Sequence, residues 1–195
     1  MPQLDLPELI LEMHARTGFA AAFTHASEGN ARAEDIATTI CAVLVAEATN
    51  TGFEPLVRPE VSALRRSRLS WVKQNFIRAE TLTTANALLV AAHNRIPLAR
   101  VWGSGEVASA DGLRFTVPVR TIHAGPNPRY FGRERGITWY NLVSDRFSGL
   151  NALTVPGTLR DSLYLLAVVL DQETELRPGE IMTDTAGYTD TIFGI

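Results

Sequence analysis

The chain has almost no cysteine and almost no lysine. Cys41 is the only thiol among 195 residues, which excludes an intramolecular disulfide and a zinc cluster built on thiolates. Lys73 is the single lysine among 18 basic residues, and we attach no function to that bias. Long apolar runs are also missing. The longest extends from Leu163 to Leu170, far short of the ~20 residues a membrane-spanning helix needs. Met1 is followed by Pro2, Gln3 and Asp5, with no basic stretch leading an apolar one, so no secretory signal is expected. These absences fit a cytoplasmic protein with no membrane partner. A surplus of positive charge is absent as well. The formal net charge is -3, so any contact with nucleic acid must come from local basic clusters. No repeat or low-complexity segment interrupts the chain.

What is present describes a folded globular chain. Hydrophobic residues make up 46% and charged residues 20%, enough apolar surface to offset the entropy of ordering. A chain of this size buries roughly 70% of its unfolded surface without a staple. Residues 1–100 read as helical. Asp5 precedes an expected helix from Leu6 to Arg16, with Pro7 in its first turn and Gly18 past its end. Ile36, Ile40, Val43 and Leu44 recur at helical spacing within 34–48, and Asn50-Thr51-Gly52 stops that helix. Further helices are expected over 61–76 and 80–94, the last ended by Pro97.

The pattern changes near Val101. Residues 106–110, 115–119 and 137–143 read as strands rich in β-branched and aromatic residues. Pro118 places its strand at an edge or bulge. Residues 124–136 carry prolines and glycines of a turn region. A helix is expected over 159–170, capped by Gly157-Thr158, with Leu163, Leu166, Ala167 and Leu170 as its buried stripe. Glu180 to Thr183 reads as a short strand ending at Asp184. The expected order is helices, then strand-strand-strand-helix-strand, an α/β architecture with a mixed sheet.

Phosphoryl transfer on DNA needs carboxylates that hold divalent metal. Magnesium favours oxygen ligands and often takes one or two carboxylates plus water and phosphate. The sequence signal is therefore an acid at the end of each of two neighbouring strands. Asp111, in Ser109-Ala110-Asp111-Gly112, and Asp184, in Thr183-Asp184-Thr185, both fit. Asp-Gly is also a common turn, and an Asp between threonines is also a helix cap. The residues alone leave a paired-carboxylate metal site open beside those readings.

Several blocks go further. Leu98-Ala99-Arg100-Val101-Trp102-Gly103-Ser104-Gly105 runs into Ser109-Ala110-Asp111-Gly112-Leu113-Arg114-Phe115. Asn127-Pro128-Arg129-Tyr130-Phe131-Gly132 is followed by Arg135-Gly136-Ile137-Thr138-Trp139-Tyr140. Thr183-Asp184-Thr185-Ala186-Gly187-Tyr188-Thr189-Asp190 precedes Phe193-Gly194. Upstream, Thr17-Gly18-Phe19, Phe23-Thr24-His25 and Arg78-Ala79-Glu80-Thr81-Leu82 belong to the same series. In this order and spacing the chain resembles the catalytic region of Tn-three-family replicative transposases over nearly its whole length.

That resemblance implies an incomplete ribonuclease H-like domain over residues 101–195, preceded by an all-helical segment over 1–100. It implies that Asp111 and Asp184 are the first two acids of an Asp-Asp-Glu set that binds Mg²⁺, with Mn²⁺ able to substitute. Asp190 is the rival for the second position. The implied reaction is cleavage at transposon ends and strand transfer into target DNA, in the bacterial cytoplasm at the nucleoid. Copies of the chain or intact transposase are implied partners. No Glu follows Asp184, so the third acid is missing. A fragment without catalytic activity is therefore expected, with an open apolar face or edge that promotes self-association. The alternative is a non-catalytic remnant that binds DNA or intact transposase.

Arg65, Arg66, Arg68 and Lys73 form a basic stretch that either contacts phosphate or lines a solvated helix face. Arg129, Arg133 and Arg135 in the Gly/Pro-rich loop are further candidates for gripping DNA backbone. His25 and His123 read as hydrogen-bonded structural residues. Trp71, Trp102 and Trp139 read as core, with base stacking as the alternative. Tyr140 and Tyr188 lack the Arg-His company of a tyrosine recombinase. Cys41 reads as core.

Overall fold

The computed structural model describes residues 4–27 and 34–184, together with 189, 192 and 194. The chain divides into two compact units, residues 1–89 and 90–195.

The first unit is helical. Helix α1 spans Leu6–Thr17 and stops where Gly18 turns left-handed, its N–H bonded to the His14 carbonyl. Helix α2 spans Ile36–Thr49, two residues later at its start than expected, and Asn50 ends it in the left-handed conformation that asparagine tolerates. The expected helix over 61–76 is broken. A 3₁₀ turn covers Ser62–Leu64, and helix α3 begins only at Arg66, running to Phe76. The break has a hydrogen-bond cause. The Ala63 carbonyl accepts from the Thr39 hydroxyl at 2.9 Å, and the Leu64 carbonyl accepts from the Arg58 N–H at 3.1 Å. Both acceptors are thus engaged outside a helical ladder. Helix α4 spans Ala79–Asn94. The core of this unit gathers Phe19, Phe23, Ile40, Val43, Leu69, Val72 and Phe76. Cys41 is buried in it, as expected.

Pro97 does follow the end of α4, but it also opens a further short helix, α5, Pro97–Trp102. The missing N–H of proline costs nothing at a first helical position. Arg146 secures the loop after α5. Its guanidinium donates to the Gly103 carbonyl at 3.1 Å and to the Ser104 carbonyl. The Asp145 carboxylate accepts from the Gly105 N–H at 2.9 Å. A Cβ on Gly103 would lie 2.3 Å from the Asp145 carboxyl carbon. The Trp-Gly-Ser-Gly run is thus a backbone segment that a hairpin carboxylate approaches too closely for a side chain.

The sheet holds five strands: β1 Val107–Thr116, β2 Gly125–Pro126, β3 Arg135–Ser144, β4 Gly149–Pro156 and β5 Glu180–Thr183. Strand β3 lies between β1 and β4, and β5 lies beyond β1. The β1–β3 and β3–β4 pairs are antiparallel, whereas β1–β5 is parallel. The mixed sheet preceded by helices is the α/β architecture expected. Its strands are assigned differently in detail. The two strands expected over 106–110 and 115–119 are one continuous β1, and Asp111-Gly112 is not a turn. Pro118 lies beyond that strand, not at an edge or bulge within it. Strand β4 and the two-residue β2, which lies in the expected turn region, were both missed in the sequence and bring the four expected strands to five.

The expected helix over 159–170 is a 3₁₀ turn, Asp161–Tyr164, followed by helix α6, Leu165–Leu170. Thr158 does not cap it; Arg160 is the residue before the turn, without a capping side-chain bond. Nor is the expected stripe buried. Val168 is fully enclosed, while Leu163, Leu166 and Leu170 are exposed. The Val168 carbonyl accepts from the Asn151 amide at 3.0 Å, which turns the Val168 side of α6 toward the sheet. Tyr140, Leu142, Ala108, Ala110, Leu150 and Val155 complete this core. No described helix is long and apolar enough to cross a membrane.

Candidate active site

Strand β1 shows why Asp111 is available for chemistry. Ala108 and Ala110 are buried, whereas Ser109, Asp111, Leu113 and Phe115 on the opposite face are exposed. The strand runs through Asp-Gly because β3 pairs with it from Ala108 to Thr116, Asp111 opposite Asn141 and Gly112 opposite Tyr140. Gly112 is needed for space. A Cβ there would lie 2.7 Å from the Thr138 methyl and 2.8 Å from an Asp161 carboxylate oxygen.

Strand β5 then aligns with β1 in parallel, its last pair being Thr183 with Ala110. Asp111 and Asp184 are the residues that follow this last pair. Neighbouring strands lie ~4.8 Å apart, and residues in register share a face. Both carboxylates are exposed, and one Asp111 oxygen accepts from the Gly112 N–H at 2.7 Å. Asp111 is therefore mid-strand, not at a strand end as expected. It is β5 that ends there, at Thr183. Asp190, the rival acid, and Tyr188 lie outside the described residues, as do 185–187 and Phe193.

The electrostatics mark the same place. Tyr140 is buried behind Gly112, and its hydroxyl is pushed up from 10.0 to about 12, first by burial and then by the negative charges of Asp161, Asp184 and Asp111. Three carboxylates thus act on one phenol. Two exposed carboxylates on adjacent strands offer an all-oxygen donor set of the kind magnesium accepts with its remaining waters. Among the described residues no group of three or more His, Cys, Asp or Glu side chains converges on one metal position. The donors present fit a partial, two-carboxylate site. Asp161 was not singled out in the sequence. Its signal was weak, a lone acid at a helix start, and its side chain is only 13% exposed and paired with Arg114 at 3.1 Å.

The basic candidates separate. In the first unit, Arg65 donates to the Pro59 carbonyl at 3.2 Å, Arg66 pairs with Glu54, Arg68 donates to the Glu34 carbonyl at 2.5 Å, and Lys73 pairs with Glu47 at 2.7 Å. Each has a structural partner there. In the second unit, Arg129 lines a cleft together with Arg114 and Arg160, while Arg133 and Arg135 are exposed. His25 accepts from the Ser27 N–H at 3.2 Å and packs on Trp71 and Phe76, a structural role. His123 is exposed. Trp71 packs on its core, but Trp102 and Trp139 do not; they are 63% and 42% exposed. Trp102 meets the equally exposed Phe147 edge to face, and Trp139 stands on the open face of β3.

Comparison with known proteins gives the same family as the motifs. Residues 8–195 match the family described as the Tn3 transposase DDE domain. The transposase for transposon gamma-delta of Escherichia coli (strain K12) is 58% identical over 100% of this chain, which covers 20% of that protein. The transposase for transposon Tn4556 of Streptomyces fradiae is 47% identical over 100% of this chain and 22% of its own length. The transposase for transposon Tn1546 of Enterococcus faecium is 34% identical, again over 100% of this chain and 20% of that protein. The chain therefore spans about a fifth of the length of these relatives. The match across almost every residue, with the mixed sheet in hand, places the chain in the Tn3 transposase DDE domain family.

Proposed function

We propose that the chain is a piece of the catalytic region of a DNA transposase, and that Asp111 and Asp184 are two of its metal ligands. The observation that supports this reading is the parallel β1–β5 register, whose last pair, Ala110 with Thr183, is followed on each strand by one of the two acids. When bound, Mg²⁺ or Mn²⁺ supplies charge neutralisation at a phosphate and activation of an attacking oxygen. The chain's own residues hold the carboxylates. Gly112 lets Asp161 close behind the strand, and β3 fixes Asp111 through unbroken pairing. The substrate in this reading is DNA at transposon ends and in the target, the reaction being cleavage and strand transfer. A polypeptide of these 195 residues contains no Glu after Asp184. It is therefore inert in strand transfer, because two carboxylates hold metal loosely and do not fix in-line geometry.

Manganese titration of the purified chain, read by electron paramagnetic resonance, tests this. Wild type binds weakly, and Asp111→Asn and Asp184→Asn each abolish that binding while leaving the fold intact by circular dichroism. Binding unchanged in both variants, or robust single-turnover strand transfer by the chain alone, would overturn the reading.

A further inference from the structure

A second site lies on the other face of β1. Arg114 is three residues beyond Asp111, so the two side chains leave opposite faces of the strand, about 10 Å apart along it. Arg114 opens into a cleft of about 580 Å³ that also receives Asn127, Arg129, Tyr130, Thr158 and Arg160. Its walls come from four separate segments: β1, the short helical stretch 127–130, β3 through Thr138, and the stretch after β4 that leads to α6. Three guanidinium groups line it against one carboxylate, Asp161. That acid is committed to Arg114 at 3.1 Å, and the Arg114 guanidinium lies 4.0 Å from the Tyr130 ring centre. Arg114 is therefore held flat by a carboxylate and an aromatic face. The backbone around it is held as well. The Asn127 amide donates to the Gly157 carbonyl at 2.9 Å and its oxygen accepts from the Arg129 N–H at 3.2 Å.

The lining selects the ligand class. Planar guanidinium forks match the paired oxygens of a phosphate, and arginine is the side chain that reads it bidentately. The Thr158 hydroxyl on the cleft wall suits a further phosphate oxygen. An excess of arginine over acid in a chain of net charge -3 is the kind of local basic cluster through which such a chain meets DNA.

We propose that this cleft binds a phosphodiester of the DNA backbone, gripping the strand apart from the Asp111–Asp184 pair, with Arg129 and Arg160 donating to the phosphate and Arg114 fixing its position. The proposal rests on the reading that DNA is the substrate, but it requires no metal. The test is fluorescence anisotropy of a short labelled single-stranded oligonucleotide with the purified chain, in chelator, over a range of salt. Arg160→Ala and Arg129→Ala each weaken binding about tenfold, the scale of one hydrogen bond to a charged group. Each also lowers the slope of log affinity against log salt by ~0.7, one phosphate contact. Arg160→Lys keeps the slope, because the charge remains. Wild-type affinity and slope in the folded Arg129→Ala, Arg160→Ala double variant would overturn the proposal. So would no binding by wild type, or a preference for inorganic phosphate over the oligonucleotide. The manganese titration fails or succeeds independently, so a lost metal site and a lost phosphate cleft are told apart.

Discussion

Gly112 decides how Asp111 is presented. An Asp-Gly pair suggests a turn because glycine accepts any backbone geometry. Here glycine serves an extended strand, because Thr138 and Asp161 fill the space a side chain would take. Local chemistry could not distinguish these uses, since the deciding atoms lie 26 and 49 residues away along the chain. Tyr140 offers a direct probe of the carboxylates around that point. Its hydroxyl is raised to about 12 by burial and by Asp161, Asp184 and Asp111 in that order. Asp184→Asn lowers it toward 10.0, and Asp111→Asn lowers it by less. Ultraviolet titration of phenolate, with Tyr140→Phe to identify the curve, measures both. The linkage has a definite sign. A phenol raised on folding contributes full stability below its unfolded value near 10 and loses it as pH rises through about 12. Alkaline unfolding therefore shifts upward in Asp184→Asn. A Tyr140 titration unmoved by either substitution would mean that the acids do not surround it.

At the scale of elements, helices with terminal signals were legible and strands less so. Helix α1 was readable from Pro7 and Gly18, and α2 from its apolar spacing and Asn50, because caps and periodicity are local. Strand β4 was missed because Asn151 and Thr154 interrupt its apolar residues, and buried Asn151 is satisfied by donating to the Val168 carbonyl and accepting from the Ala152 N–H. Helix α6 was expected but turned the wrong way, since a run from Leu163 to Leu170 is apolar on every side and gives no stripe to read. Asp184 was recognisable as an acid at a strand end. The sequence did not reveal that the strand before it would pair in parallel with the first half of β1. The cleft was also half visible: Arg129 was a candidate, whereas Arg114 and Arg160 meet it only through the fold. Asp145 is the element-scale prediction. It joins the β3–β4 hairpin to the loop entering β1 by accepting from Gly105 and Ser104. Asp145→Ala leaves the buried Gly105 N–H without its acceptor and costs about 1–3 kcal/mol. Asp145→Asn, which keeps an acceptor oxygen, recovers part of it. Urea denaturation measures both, and equal stability in all three proteins would show that the loop is held by Arg146 alone.

At the scale of the whole molecule, the described surface exposes several large apolar side chains close together. Leu163, Leu166 and Leu170 project from α6 and its preceding turn, and Met182 on β5 is 62% exposed. Leu113, Phe115 and Trp139 stand together on the open face of β1 and β3, since Leu113 and Trp139 are register partners. Among the described residues β5 pairs with β1 and with no other strand, so it is an edge strand of the described sheet. Edges of this kind recruit further strands, and contiguous exposed apolar side chains mark surfaces that associate. The two features lead to one outcome: a polypeptide of these residues self-associates with rising concentration. Sedimentation velocity across a concentration series measures it. Leu166→Glu, at a half-exposed position on α6, reduces the association, and Trp139→Thr reduces it if the sheet face takes part. If Leu166→Glu and Trp139→Thr together leave the sedimentation behaviour of wild type unchanged, association runs through the β5 edge. A chain that stays monomeric at every concentration would show that neither the edge nor these apolar faces is sticky.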